Sequence, residues 1–393
     1  MLSNEILVVI GNYEFSKNAD QLKNEFKQYF YTLLIDSNSP HKPEAVDVVI
    51  PNTYYPGLWN AAVEIAIEYK FKWLMFIASD VEISSVRLLC ERANEAIGIE
   101  EIGSYSPSLT AGSRTSFPDC INMPLAAIRE VRIIEGFFFM TRVEILRQLY
   151  PLPPENIFGW GVDIATCYRT YQHNQYVVID DRVEIFHPKQ LAEHSIDNSQ
   201  AAQMSSQYLG TSIQNWYQSN ISNINGNAKR FTPTSSLDLG CGTKINNIFE
   251  SNYAFGIDIV ESTNPNIKVA DLTTQGIPFD DNTFEYITAS DFIEHIPRLI
   301  YCPERKFSFV ELMNEIYRVL KPSGIFLSIT PAYPDPKAFQ DPTHVNFITE
   351  ETFSSYFCND RLWAKMYGFT GSFRLYSQKW SDGKLITLMR TLK

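Results

Sequence analysis

Short apolar runs alternating with amphipathic stretches dominate the first half of the chain. Residues 6–10, 46–50 and 73–77 read as buried strands, with helices over residues 19–30 and 59–69. Buried strands alternating with helices predict a largely parallel α/β sheet. The pattern changes near residue 190. Residues 191–232 are rich in Ser, Asn and Gln but space Met204, Tyr208, Ile213, Trp216 and Tyr217 among them. Such large apolar groups need burial, so the reading is a docked helix followed by a polar linker, with a plain flexible linker as the alternative. From Ser235 the alternation restarts. Residues 236–239, 255–258, 284–288 and 325–329 read as strands, and residues 307–320 as an amphipathic helix closed by Lys321-Pro-Ser-Gly324. The expectation is two α/β domains, 1–190 and 233–393, joined by a helical and polar segment, 191–232.

Composition narrows the class. The 393 residues are 45% hydrophobic and 20% charged, as in ordinary globular proteins. The net charge is -12, with 16 basic against 24 acidic residues up to residue 190 and 17 against 21 after it. Neither half carries the basic balance of a nucleic-acid binder, so no nucleic-acid partner is expected. None of the six cysteines forms a CxxC pair, which argues against a zinc ribbon or a disulfide scaffold. With no signal-like or membrane-spanning apolar stretch, the expectation is a cytoplasmic protein. Peripheral attachment at the inner face of a membrane stays compatible with it.

Candidate chemistry in the second domain begins at Leu237-Asp-Leu-Gly-Cys-Gly-Thr243, a strand running into a glycine turn. Such a turn lets a ligand approach the backbone, although ordinary loops use it equally. Asp258 ends the next strand about 18 positions on, a spacing that suits a carboxylate accepting from ribose hydroxyls; helix capping is the alternative. The turn is not GxGxxG, which argues against a nicotinamide site.

Together with Ala270-Asp-Leu272, Ile277-Pro-Phe-Asp-Asp-Asn-Thr-Phe284, Ile293-Glu-His-Ile296 and Val319-Leu-Lys-Pro-Ser-Gly324, these segments resemble class I S-adenosylmethionine-dependent methyltransferases over residues 233–393. The resemblance implies a Rossmann-like fold. It implies a site in which Asp238, Gly240 and Gly242 hold the methionine part of the cofactor and Asp258 the ribose. Asp271 and Leu272 would face the adenine, and Ser290 and Asp291 the reaction centre. Oxygen methylation usually needs a base, for which His344 and His295 are candidates; His344 has substrate contact or structural hydrogen bonding as its alternatives, and His295 a structural or helix-capping role. Asp341 is a candidate to orient His344 or to bind substrate, with an ordinary turn residue as the alternative.

In the first domain, strand ends carry Asp36 and Asn52, and Ser79-Asp-Val-Glu82 places two carboxylates two positions apart, a spacing that can share a divalent cation. With Ile134-Glu-Gly136, Gly159-Trp-Gly-Val-Asp163 and the late His187, this arrangement resembles GT-A fold glycosyltransferases of the inverting family 2 type over residues 4–190. The resemblance implies a nucleotide-sugar fold, Mn²⁺ or Mg²⁺ on Asp80, Glu82 and His187, and Asp163 as general base. Asp36 and Asn52 would face the nucleotide, Trp160 a sugar ring and Arg114 the diphosphate. The alternative for Asp163 is a helix cap, and the two roles are compatible. Ser79-Asp-Val-Glu82 departs from the family's Asp-x-Asp.

The expectation is a bifunctional enzyme of surface-polysaccharide synthesis. One domain would transfer a sugar from a nucleotide-sugar donor to a glycan or glycolipid acceptor. The other would O-methylate a sugar hydroxyl. One alternative is a methyltransferase with a non-catalytic glycan-binding module. The other is a methyltransferase acting on a lipid, protein or small molecule.

Overall fold

The computed structural model describes residues 3–188, 198–220, 228–301 and 303–393. It divides into two compact units, Met1–Met123 with Ile128–Phe231, and Thr232–Lys393 with Pro124–Ala127. The expected joint at 191–232 is therefore distributed. Residues 191–197 and 221–227, with Cys302, lie outside the described residues, while the helix Asn198–Asn220 belongs to the first unit.

The first unit contains strands β1 (Ser3–Asn12), β2 (Phe30–Asp36), β3 (Val48–Val49), β4 (Trp73–Ala78), β5 (Glu82–Ile83), β6 (Ile102–Leu109), β7 (Ile128–Glu130), β8 (Phe138–Arg142) and β9 (Tyr176–Phe186). Its helices are α1 (Ser16–Phe26), α2 (Tyr54–Glu68), α3 (Val86–Ile97), α4 (Val143–Leu146), α5 (Val162–Gln172) and α6 (Asn198–Asn220). The strand order is β3-β2-β1-β4-β8-β6-β9-β5, with β7 on β9. Strands β1 to β4 are mutually parallel: α1 joins β1 to β2 and α2 joins β3 to β4, while residues 37–47 join β2 to β3 without a helix. Beyond β4 the sheet is mixed: β8 runs antiparallel to β4 and β6, and β5 and β7 run antiparallel to β9. The expectation of a largely parallel sheet therefore holds for its first half only. Apolar periodicity reports burial and leaves strand direction open.

Ile6 to Ile10 are fully buried, which fits β1 between two parallel neighbours. Helix α3 starts at Ser85, whose hydroxyl accepts the Leu88 amide at 3.3 Å. Leu209 and Ile213 of α6 join the first unit's core, and Trp216 meets Tyr168 and Tyr171 of α5. The apolar spacing in this Ser- and Gln-rich segment is thus accounted for by a helix packed on α5.

The second unit contains β10 (Ser235–Leu239), β11 (Tyr253–Asp258), β12 (Ile267–Val269), β13 (Phe284–Ser290), β14 (Ile300–Tyr301), β15 (Arg305–Lys306), β16 (Leu320–Pro331), β17 (Phe373–Ser381) and β18 (Lys384–Thr391). Helices α7 (Ser308–Val319), α8 (Lys337–Gln340) and α9 (Glu350–Tyr356) accompany them. The sheet order is β12-β11-β10-β13-β16-β18-β17, parallel through β16 and antiparallel at the last two strands. Leu237 of β10 sits between Phe255 of β11 and Ile287 of β13, so strand order reverses around β10. In open α/β sheets a crevice at the carboxyl ends of the strands forms at such a reversal.

Phe309, Leu312, Met313, Ile316 and Val319 put one buried face of α7 on the sheet. The Lys321-Pro-Ser-Gly324 segment, read as a helix stop, is the opening of the long strand β16. On a second cluster, Phe249 stacks on Tyr286 with centroids 4.3 Å apart, beside Ile325, Leu327, Leu388 and Ala126. Residues 240–252, 259–266 and 270–283, all described, connect β10 through β13 without a helix.

Candidate functional site

In the second unit the glycine turn lies at the end of β10, at the reversal of strand order. Gly240 and Gly242 have φ of +71° and +59°. A side chain at Gly240 would also meet the Phe292 ring at 2.5 Å, whereas at Gly242 it would enter open space. Gly240 is thus demanded by both backbone and packing, and Gly242 leaves room beside the turn. Asp258, at the end of β11, accepts the Gly242 amide at 2.7 Å and the Val260 amide at 2.9 Å. Its carboxylate therefore borders the turn.

Asp238 is 5% exposed, accepts from the Thr288 hydroxyl and the Asn246 amide, and has its pKa raised by burial. It braces β10 against β13 and the turn. Leu272 is buried, while exposed Asp271 accepts the Thr273 amide within its own turn. Ser290 is half-buried at the end of β13. Asp291 takes φ +49° and directs its carboxylate to Lys384 at 2.5 Å. That ion pair was not legible in sequence, since β18 lies beside β16 only in the folded sheet.

His295 and His344 come together, with ring centroids 4.9 Å apart at 75°. The link is made by backbone: the Glu294 carbonyl accepts the amides of Val345 and Asn346, both at 2.9 Å. Thr343 donates its hydroxyl to Asp341 at 2.6 Å and contacts His295 Nδ1 at 3.0 Å. A hydroxyl has one proton, so His295 Nδ1–H is the donor in the second contact. Asp341 is thus linked to His295 through Thr343, while its charge lies near both His344 and His295. Thr343 holds the Asp341 carboxyl below its usual range. His344 Nδ1 faces the Ala338 carbonyl at 3.3 Å, which also fixes a proton on Nδ1. In the neutral form of each ring this leaves the lone pair on Nε2. Glu294, 1% exposed, accepts the Thr330 hydroxyl at Oε2 and has its pKa raised by burial.

In the first unit, His187 is buried against Phe137, with ring centroids 3.8 Å apart. Its Nε2 lies 3.2 Å from Asp80 Oδ2 and its Nδ1 3.2 Å from the Arg114 carbonyl. Glu82 is exposed on β5 and does not join Asp80 and His187 in a three-donor cluster; among the described residues that geometry belongs to Glu294, His295 and His344. Pairing of β5 with Phe186 directs Glu82 by sheet register, which sequence spacing alone does not reveal.

Asp36 corrects its expectation. It is fully buried and accepts from Asn12 Nδ2 at 2.7 Å and from the Ser39 amide and hydroxyl at 2.9 and 2.6 Å. It anchors the loop after β2 and leaves no carboxylate exposed to a nucleotide. Asn52 is exposed and accepts the Ser37 hydroxyl at 3.2 Å. Arg114 is exposed next to His187, and Trp160 is 37% exposed.

Asp163 stands in the first turn of α5, whose N-cap is Gly161 at φ +88°. Its carboxylate accepts the Ile164 amide at 2.7 Å, and burial, aided by nearby Glu135, pushes its pKa up to about 7. The helix therefore does not take Asp163 as its N-cap. Glu135, within the quoted Ile134-Glu-Gly136, had no assigned role; it accepts from Thr115 and Ser116.

Residues 213–360 match the family model of a methyltransferase domain, from within α6 to beyond α9. Among curated proteins, demethylmenaquinone methyltransferase of Listeria welshimeri is 27% identical, over 26% of this chain and 47% of its own length. That of Listeria monocytogenes serovar 1/2a is 27% identical, over 26% and 46%. The chain spans about half the length of the curated relatives it matches. Solved structures with some similarity include YcgJ of Bacillus subtilis, at 15% identity and TM-score 0.29, covering 41% of this chain and 92% of that one. Another is 1,6-didemethyltoxoflavin-N1-methyltransferase of Burkholderia thailandensis, at 12% and 0.29, covering 41% and 72%. The second unit is a class I S-adenosylmethionine-dependent methyltransferase domain with a Rossmann-like fold.

Proposed function

We propose that this protein transfers a methyl group from S-adenosylmethionine to a small ring-bearing acceptor. The observation that carries the reading is the turn at the reversal of strand order, where Gly242 opens onto free space and the Asp258 carboxylate borders it. These residues fit the cofactor. The backbone of Gly240 and Gly242 would take its methionine part, Asp258 its ribose hydroxyls, and Leu272 and Asp271 its adenine. Ser290 and Asp291 would border the reaction centre. When bound, the cofactor supplies an electrophilic methyl on a sulfonium. Asp238 keeps the turn in place through Thr288 and Asn246.

The Nε2 lone pairs of His295 and His344 can receive a proton from an acceptor hydroxyl. Tyr333, Phe339 and Phe347, all more than 40% exposed, form a chain of ring contacts beside the His344 segment. The curated relatives are named for methylating demethylmenaquinone, a flat ring, and an acceptor ring here would find stacking partners in these aromatics. A sugar ring could use the same faces. The test is calorimetric binding of S-adenosylmethionine, followed by S-adenosylhomocysteine release with quinone, phenol and sugar acceptors. A chain that binds no S-adenosylmethionine sinks the reading; turnover with the acceptors selects among them.

A second reading concerns the first unit: metal-dependent sugar transfer from a nucleotide sugar, as its GT-A resemblance implies. The Asp80–His187 pair favours it. With Nδ1–H given to a carbonyl, His187 turns a lone pair toward a carboxylate oxygen, and only a proton or a cation between them makes that contact attractive. Asp80 and His187 would hold Mn²⁺ or Mg²⁺, whose charge would stabilise a leaving diphosphate. Asp163, with its pKa near neutrality, suits a general base. Release of nucleoside diphosphate from a panel of nucleotide sugars with Mn²⁺ is the measurement. Absence of release across the panel leaves the first unit without this activity.

A further inference from the structure

We propose that Glu294, His295 and His344 form a binding site for a divalent first-row transition ion, of which Zn²⁺ is the representative probe. Each side chain offers one ligand atom within 4.8 Å of the others. Two imidazoles and one carboxylate are a donor set that such ions take in catalytic sites, where further positions stay open.

Three independent features point to a ligand. Glu294 is 1% exposed, and its Oε1 lacks a hydrogen-bond partner while Oε2 accepts from Thr330. A buried carboxylate oxygen left unmatched is costly, and a cation removes that cost. Both histidines have their Nδ1 protons committed, His295 to the Thr343–Asp341 pair and His344 to the Ala338 carbonyl. That outer bonding is the arrangement that fixes a metal-binding tautomer and orients the ring. Finally, the cluster is built by a rigid seam. The Glu294 carbonyl takes two amides of the His344 segment, and Asn346 bonds the Ile293 carbonyl and accepts from Arg298.

The site lies directly after β13, whose end the methyl-transfer reading places at the reaction centre. With the ion bound, the histidine lone pairs would hold it and no longer receive a proton; on that reading the open positions would instead take an acceptor oxygen and favour its deprotonated form. Metal binding itself does not depend on that reading.

The experiment titrates Zn²⁺ into the full chain carrying Asp80→Asn, so that the first unit's pair cannot contribute. Co²⁺ serves as a spectroscopic replacement. One Zn²⁺ per chain is expected, with the visible bands of four- or five-coordinate Co²⁺. His344→Ala and His295→Ala should each weaken Zn²⁺ binding at least ~100-fold, and Thr343→Val by ~10–100-fold through the orientation of His295. Thr343→Val changes no ligand and guards against a variant that fails to fold. Unchanged affinity in the folded histidine variants, or no Zn²⁺ bound by the parent chain, overturns the site. S-adenosylmethionine titrated in parallel separates the two proposals. Zn²⁺ bound without S-adenosylmethionine defeats methyl transfer and keeps the metal site, and the converse defeats only the metal site.

Discussion

His187 Nε2 stands 3.2 Å from Asp80 Oδ2, although the two residues are separated by more than a hundred positions. The pairing of β5 with the end of β9 makes this approach, and Phe137 packs on the other side of the imidazole. Mn²⁺ should therefore raise the melting temperature of the chain. The gain should shrink strongly in Asp80→Asn and His187→Ala but persist in Glu82→Gln, as followed by calorimetry at fixed Mn²⁺. At a hundredfold excess over Kd the stabilisation is about 2.7 kcal/mol. An equal gain in all four proteins would mean that the pair does not hold the ion.

Asp163 gives a pH dependence of definite sign. Its carboxyl has a folded pKa of about 7, above its unfolded value of about 4. The folded state thus binds more protons than the unfolded state between these values. The stability from this group is fully present below about pH 4 and is lost as pH rises through about 7. Asp163→Asn should stabilise the protein at pH 8 by about 1–2 kcal/mol, with the difference vanishing toward pH 4. Denaturant titrations at several pH values measure it. If sugar transfer occurs, its rate should rise through pH 7 in the parent chain and be lost in this variant.

Asp258 borders the glycine turn and has no ion-pair partner among the described contacts, so its loss should act on ligand binding more than on folding. Asp258→Ala is expected to weaken S-adenosylmethionine binding ~10–100-fold, the loss of one or two charged hydrogen bonds. Gly242→Val should abolish binding by filling the open space. Gly240→Ala should lower the melting temperature as well, because its added methyl strikes Phe292. Calorimetric titration and thermal unfolding of the same preparations distinguish the effects.

The Arg129–Asp181 pair is a structural counterpart. Its atoms are 2.6 Å apart, at 3% and 0% side-chain exposure, and Arg129 also donates to the carbonyls of Asp119 and Ile121. Asp181→Ala leaves a guanidinium buried without its carboxylate. A loss of about 3–5 kcal/mol in unfolding free energy is expected, without change in S-adenosylmethionine affinity. A change below 1 kcal/mol would show that water reaches the pair.

The amino-acid sequence by itself determined the two alternating α/β patterns, the strand runs at residues 6–10 and 73–77, and the glycine turn with Asp258 after it. These are local features: burial periodicity and positive φ are properties of a few neighbouring residues. The helix in the polar segment was legible for the same reason, through its spaced aromatic residues. Tertiary structure decided what depends on distant partners. It turned β8, β5 and β7 antiparallel, closed Asp36 inside its loop, and moved Glu82 out of the Asp80–His187 pair. It also routed Asp341 through Thr343 to His295 and set the unmatched oxygen of Glu294 beside two histidines. Strand direction and register follow from pairing energies summed over whole sheets, and a residue's hydrogen-bond partner exists only once the chain has brought it there.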